Sequence, residues 1–194
     1  SLNLGRFFDE TQTTLPALLG LVYVPNYFDI LPMYLVLLAL MPAVIGLASA
    51  SRWLALALVV GLWMAANVFG LGLPAEPWSE REWFFNPFGW QLIFFTGFAF
   101  SAGWLPAPPV DRRLVSLAVL ILLVSVPFSY FRIINAVPEI ANWNREWGAL
   151  IQKTDFGILR YVHFLAVAYL AWVAAGVSGR RLVPPEGHSW RTKI

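Results

Sequence analysis

The sequence predicts an all-α fold, a polytopic membrane helix bundle of about five transmembrane helices with interfacial loops. Three observations predict it. Only 12% of the 194 residues are charged, where a soluble domain carries about 25%; so little charge cannot cover a water-facing surface. Ten Trp and fifteen Phe fit a chain whose aromatic rings anchor at the headgroup layer. Finally, five stretches approach the roughly 20 apolar residues that a spanning helix needs.

Those spans lie near 30–50, 53–73, 87–105, 114–131 and 158–177. The first is entered through Asp29 and Pro32, with Pro42 as a kink. The third opens at Asn86, a natural N-cap, with Pro87 at the first helical position. The fourth carries Pro127, and the fifth closes at Gly179 before Arg180 and Arg181. Leu15–Val24 is apolar but too short to span; it reads as an interfacial helix or the end of another span. Strands are excluded because only closed barrels satisfy backbone groups in lipid, and barrel segments alternate strictly. The chain reads as a single membrane domain over 1–194.

Five spans place alternate connections on opposite sides. One side carries Arg6, Arg81, Arg132, Arg145, Lys153 and Arg160; the other carries Arg52, Arg112, Arg113, Arg180, Arg181, Arg191 and Lys193. The second set sits in short loops and the tail, at helix ends, where the positive-inside rule weighs charge most. This places the C-terminal tail in the cytoplasm and the connections 74–86 and 132–157 outside.

The composition also excludes functions. A formal charge of +2, with no basic stripe, excludes nucleic-acid binding. There is no Cys and there are only two His, so no metal site and no cofactor are expected. No phosphate loop, nucleophile elbow or zinc motif is present. The lipid bilayer is the one partner that the composition requires.

Polar groups at membrane depth are expensive and therefore informative. They concentrate in Asn26–Tyr34 (NYFDILPMY), Trp83–Gln91 (WFFNPFGWQ) and Lys153–His163 (KTDFGILRYVH). The predicted topology brings all three segments to the non-cytoplasmic face. Asp29 is either a capping carboxylate or a ligand-binding one. Asn86 reads as a cap, and Gln91, one turn inside its helix, as an interhelical hydrogen-bonding residue. Arg160 and His163, at i and i+3, share a helix face. Arg160 either snorkels to headgroups or pairs with Asp29. His163 is the only imidazole inside a span and a weak catalytic candidate; the competing reading is a hydrogen bond to a neighbouring helix. His188, in the polar tail, reads as solvated.

NYFDILPMY, WFFNPFGWQLIF and KTDFGILRYVHFLAVAYL together resemble the OpgC family, with the motif order and helix-entry placement matching from about Leu21 to Tyr169. The resemblance implies a multi-spanning protein of the bacterial inner membrane, of acyltransferase lineage, linked to succinylation of osmoregulated periplasmic glucans. It implies an acyl-CoA donor and a glucan acceptor, with Asp29, Asn86, Gln91, Lys153 and Arg160 lining the substrate side. Arg160 is the best match to a succinyl carboxylate, because its fork binds both oxygens. Family members are longer, and their opening helix carries a His for which this chain has no counterpart. The chain is thus expected to be the central part of a larger fold or a shortened relative, inactive alone. The alternative expectation is a non-catalytic transmembrane subunit packed against a larger membrane complex.

Overall fold

Helix boundaries in this chain are set by a few capping and turn residues inside long apolar runs. The computed structural model describes residues 4–26, 28–176 and 181. Tyr27 of the first motif, Arg180, His188, Arg191 and Lys193 lie outside the described residues. Ten helices are described: α1 (Gly5–Asp9), α2 (Thr11–Leu19), α3 (Ile30–Ala50), α4 (Arg52–Phe69), α5 (Pro87–Ser101), α6 (Arg112–Ser129), α7 (Phe131–Ala136), α8 (Pro138–Glu146), α9 (Gly148–Ile151) and α10 (Ile158–Ala175). There is no strand among the described residues beyond one isolated bridge, between Pro74 and Glu82. This is an all-α membrane bundle.

Among the described residues, four helices, α3, α4, α6 and α10, are long and apolar enough to cross a membrane. The third expected span falls short. It is a 15-residue helix, about 22 Å long at 1.5 Å per residue, against a hydrocarbon core of about 30 Å. Gly103, at φ 71°, turns the chain so that Trp104 and Leu105 both donate to the Ala99 carbonyl. Gly70, at φ 66°, ends α4 in the same left-handed way, short of the expected residue 73. The apolar stretch 15–24 is helical only to Leu19. The long connection 132–157 is filled by α7, α8 and α9.

The chain divides into two compact units, Ser1–Pro106 with Trp147–Arg160, and Ala107–Glu146 with Tyr161–Ile194. In the first, α3, α4 and α5 pack pairwise as a three-helix core. Ser51 makes the tight turn from α3 to α4, its hydroxyl accepting from Trp53 N at 3.3 Å. Val24, Ala75 and Trp83 form a small buried apolar cluster over the loops.

In the second unit, α8 returns onto α6: Asn144 Nδ2 donates to the Phe128 carbonyl at 3.1 Å, and the Phe128 and Trp143 rings lie 4.6 Å apart. The remainder of α10 runs antiparallel to α6. Its Tyr169 hydroxyl donates to the Pro109 carbonyl just before α6 (2.9 Å), while His163 reaches Ser125 near the α6 C-terminus.

Candidate functional site

In the first unit, the three polar segments meet at one end of the helices. Asn86 is the hub. As the N-cap of α5 its Oδ1 accepts from Phe88 N (3.1 Å). Its Nδ2 donates to the Leu71 carbonyl (2.6 Å) and to Asp155 Oδ1 (2.7 Å), and its backbone N donates to the Thr154 carbonyl. Trp90 Nε1 donates to the Lys153 carbonyl (2.9 Å). From α4, Asn67 Nδ2 donates to the Asp155 carbonyl (2.8 Å), and Trp63 Nε1 to the Phe156 carbonyl (2.9 Å). The turn 153–157 is thus held by side chains of α4 and α5 through its own carbonyls.

Glycine permits this approach. A Cβ on Gly89 would lie 2.3 Å from the Asp155 carbonyl oxygen, and one on Gly157 would lie 2.5 Å from that of Leu150. Phe156 takes φ 55° and is buried between these elements.

The first motif joins through Asp29, which is 1% exposed. It stands at the N-cap of α3 but makes no capping bond, which corrects the capping reading. The reason is its backbone: at φ −61°, ψ −22° it is already helical, whereas a capping side chain needs an extended residue. Its Oδ2 accepts from the backbone N of Phe84 instead. Oδ1 has no partner among the described residues.

The expected Asp29–Arg160 pair does not form. Arg160 Nη2 donates to the Ile151 carbonyl (2.8 Å) and Nε to that of Gln152 (3.3 Å). These are the open carbonyls at the C-terminal end of α9, where a cation is favoured. Gln91 is fully buried, and its Nε2 bridges α5 to α4 at the Val59 carbonyl (2.6 Å). Lys153 is exposed and enters the contact network through its carbonyl. His163 belongs to the second unit, where Ser125 is its neighbour.

A cavity of about 410 Å³ at this end is lined by Asn26, Asp29, Arg81, Glu82, Trp83, Phe84 and Thr154. Arg81 is the cation of this wall. It pairs with Glu76 at 3.2 Å and donates to the Val24 carbonyl. Glu76 also accepts from the Ser79 hydroxyl (2.6 Å). Burial pushes the Tyr23 phenol above its ordinary value, the Glu76 carboxylate adds to the rise, and Arg81 partly offsets it. Among the described residues, no group of three His, Cys, Asp or Glu side chains is placed to hold a metal.

Sequence reasoning missed Asn67, Arg81 and Asp155. Asn67 carried a usable signal, a lone amide inside an apolar span. Arg81 and Glu76 carried none, because five residues along an irregular loop imply no contact.

Compared with protein families, residues 1–190 match the family described as OpgC protein. Comparisons with curated proteins and with solved structures give no match. The family match extends beyond the three motifs on both sides and covers nearly the whole sequence. On that match and on the helical membrane architecture, the chain belongs to the OpgC protein family.

Proposed function

We propose that this chain serves succinyl transfer to the hydroxyls of periplasmic glucans in the bacterial inner membrane, with the polar end of the first unit as the acceptor side. The observation that carries the reading is Asp29, a buried carboxylate beside the cavity with one oxygen unmatched among the described residues. A hydroxyl acceptor offers the hydrogen such an oxygen lacks. Family membership supports the acyltransferase lineage. With the short α5 returning the chain across the bilayer, the arginines at the ends of the other connections support a cytoplasmic tail and a polar end facing outward.

Acyl transfer needs a base for the acceptor and donors for the oxyanion. On this reading Asp29 orients the acceptor, and Asn86 and Gln91 hold the helices that shape the cavity. Arg160 is committed to the α9 carbonyls, so the exposed ammonium of Lys153, next to cavity-lining Thr154, suits a succinyl carboxylate better. The test uses membranes from cells producing the protein, with labelled succinyl-CoA and glucan. Against the expectation that the chain is inactive alone, the unmatched Asp29 oxygen leads us to expect label in the glucan, and a fall of about tenfold or more in Asp29→Asn. No label from membranes holding folded protein would contradict the reading.

A second reading, a helical subunit packed against a larger membrane complex, is favoured by α6 and α10, whose apolar windows are only 6% buried. Recovery of a stoichiometric larger partner in mild detergent, with no transfer, would favour it.

A further inference from the structure

Two residues in the wall of the first unit's cavity each carry an unmatched atom, and the two atoms are of opposite kinds. Among the described residues, Asp29 Oδ1 is an acceptor without a donor, and Arg81 Nε is a donor without an acceptor. Asp29 is 1% exposed, and its other oxygen accepts from the backbone N of Phe84. Arg81 is anchored through Nη2, which donates to the Val24 carbonyl and to Glu76 Oε2 (3.2 Å). A polyol meets both needs, because each hydroxyl has a hydrogen to give and lone pairs to receive one. A carboxylate has lone pairs only, so it serves Nε but meets Oδ1 as a like charge.

The charges of the wall favour the same ligand. Asp29 and Glu82 contribute two carboxylates to it, and Arg81 contributes one guanidinium. That guanidinium is already paired with Glu76. The Glu82 carboxylate lies elsewhere, against Gly72, where a Cβ would come within 2.8 Å of Oε2. Neither Asp29 nor Glu82 takes part in an ion pair among the described residues. Two negative charges therefore line the cavity with no cation committed to them, and its aromatic residues, Trp83 and Phe84, bring none.

We infer that this cavity selects by charge: it takes an uncharged polyol segment and rejects the same segment bearing an anionic substituent, with Asp29 and Glu82 as the specificity-determining residues. The inference rests on the acceptor-side reading of the cavity. Succinyl transfer replaces a hydroxyl hydrogen with an acyl chain that ends in a carboxylate. The product is thus the form that the wall repels, so it leaves and competes poorly with fresh acceptor. The two carboxylates act over different salt ranges. Glu82 is exposed, so its effect is screened over about 10 Å at 0.1 M salt. Asp29 is buried, where screening is much weaker, so its share persists at high salt.

The test is binding without turnover, on the full chain purified in detergent. Three probes are titrated by calorimetry. They are a neutral glucan oligosaccharide, the same oligosaccharide succinylated with succinic anhydride, and the methyl ester of that product, which keeps its bulk and removes its charge. At low salt the methyl ester should bind about tenfold or more tightly than the succinylated form. Glu82→Gln should shrink that ratio about threefold at low salt and change it little at high salt. Asp29→Asn should shrink it at both. The readout is a ratio, so a general loss of affinity does not move it; if Asp29→Asn fails to fold, Glu82→Gln, at an exposed position, still decides. Equal binding of the succinylated form and its methyl ester, or a low-salt ratio that Glu82→Gln leaves unchanged, would overturn this inference alone, with the neutral glucan still bound. No binding of any of the three probes would sink the acceptor-side reading and this inference with it.

Discussion

The two units use the same kind of apolar helix and hold themselves in different ways. In the first, 17% of the apolar window of α3 and of α4 is buried; in the second, the figure for α6 is 6%. Met33, Leu37 and Val44 of α3, and Leu92 and Phe95 of α5, are buried within the first unit, whereas Ala118 is the one buried residue of α6. In lipid, apolar burial drives association weakly, since acyl chains are as apolar as leucine. The more telling difference is polar. Five or more bonds join segments far apart in sequence at the end of the first unit. The second unit is joined by a few bonds, from Asn144, His163 and Tyr169. The first unit has a polar end fixed by these bonds, and the second leaves the faces of its apolar helices largely uncovered.

The largest effect that tests this contrast is at Gly89. Its α-hydrogen faces the backbone of Asp155, so Gly89→Ala must push the turn 153–157 away and should cost about 3 kcal/mol. Gly97, in the same helix, has nothing within 4 Å of the position a methyl group would take, so Gly97→Ala should be neutral or slightly stabilising. Thermal unfolding in detergent checks both, and equal losses would remove the special status of the polar end. Next comes Asn86→Ala, which strips a cap and two bonds to other segments and should cost about 2 kcal/mol. Asn144→Ala, its counterpart in the second unit, should cost about 1 kcal/mol, because Asn144 holds one bond and its Oδ1 has no partner among the described residues.

A smaller effect sharpens the site itself. Asp29 and Arg160 bond to different groups, so Asp29→Asn and Arg160→Gln should add, with a coupling below about 0.5 kcal/mol. A larger coupling would restore the ion pair that the sequence suggests. The smallest effect is at high pH. The Tyr23 phenol is raised above its ordinary value of 10.0, so folding favours its neutral form. That stabilisation is complete below about pH 10, where the unfolded chain would ionise, and is lost as pH rises through the higher folded value. Tyr23→Phe should therefore flatten the alkaline fall in Tm.

The apolar runs and the Asn86-Pro87 helix start are legible in the sequence because each depends on local composition or capping. Gln91 as an interhelical donor follows from the cost of an amide in lipid. The length of α5 does not, because the apolar run continues through Leu105 while the backbone turns at Gly103. Residue type misleads at Asp29, because capping depends on backbone angles that it does not reveal. It misleads at Arg160 too, because the true partners are the carbonyls of α9, a four-residue helix inside what the sequence presents as a connection. The role of Asp155, whose carboxylate and carbonyl both receive bonds, emerges only once α4 and α5 lie against the turn.

The second and third motifs are locked together by polar contact, and Asn86 with Asp155 tests this most directly. Their side chains meet at 2.7 Å across 69 residues of sequence. A double-mutant cycle of Asn86→Ala and Asp155→Ala, read by unfolding in detergent, should give a coupling of about 1 kcal/mol or more. Additive losses, with a coupling below about 0.3 kcal/mol, would mean that the two motifs do not meet, and the site built on them would fall.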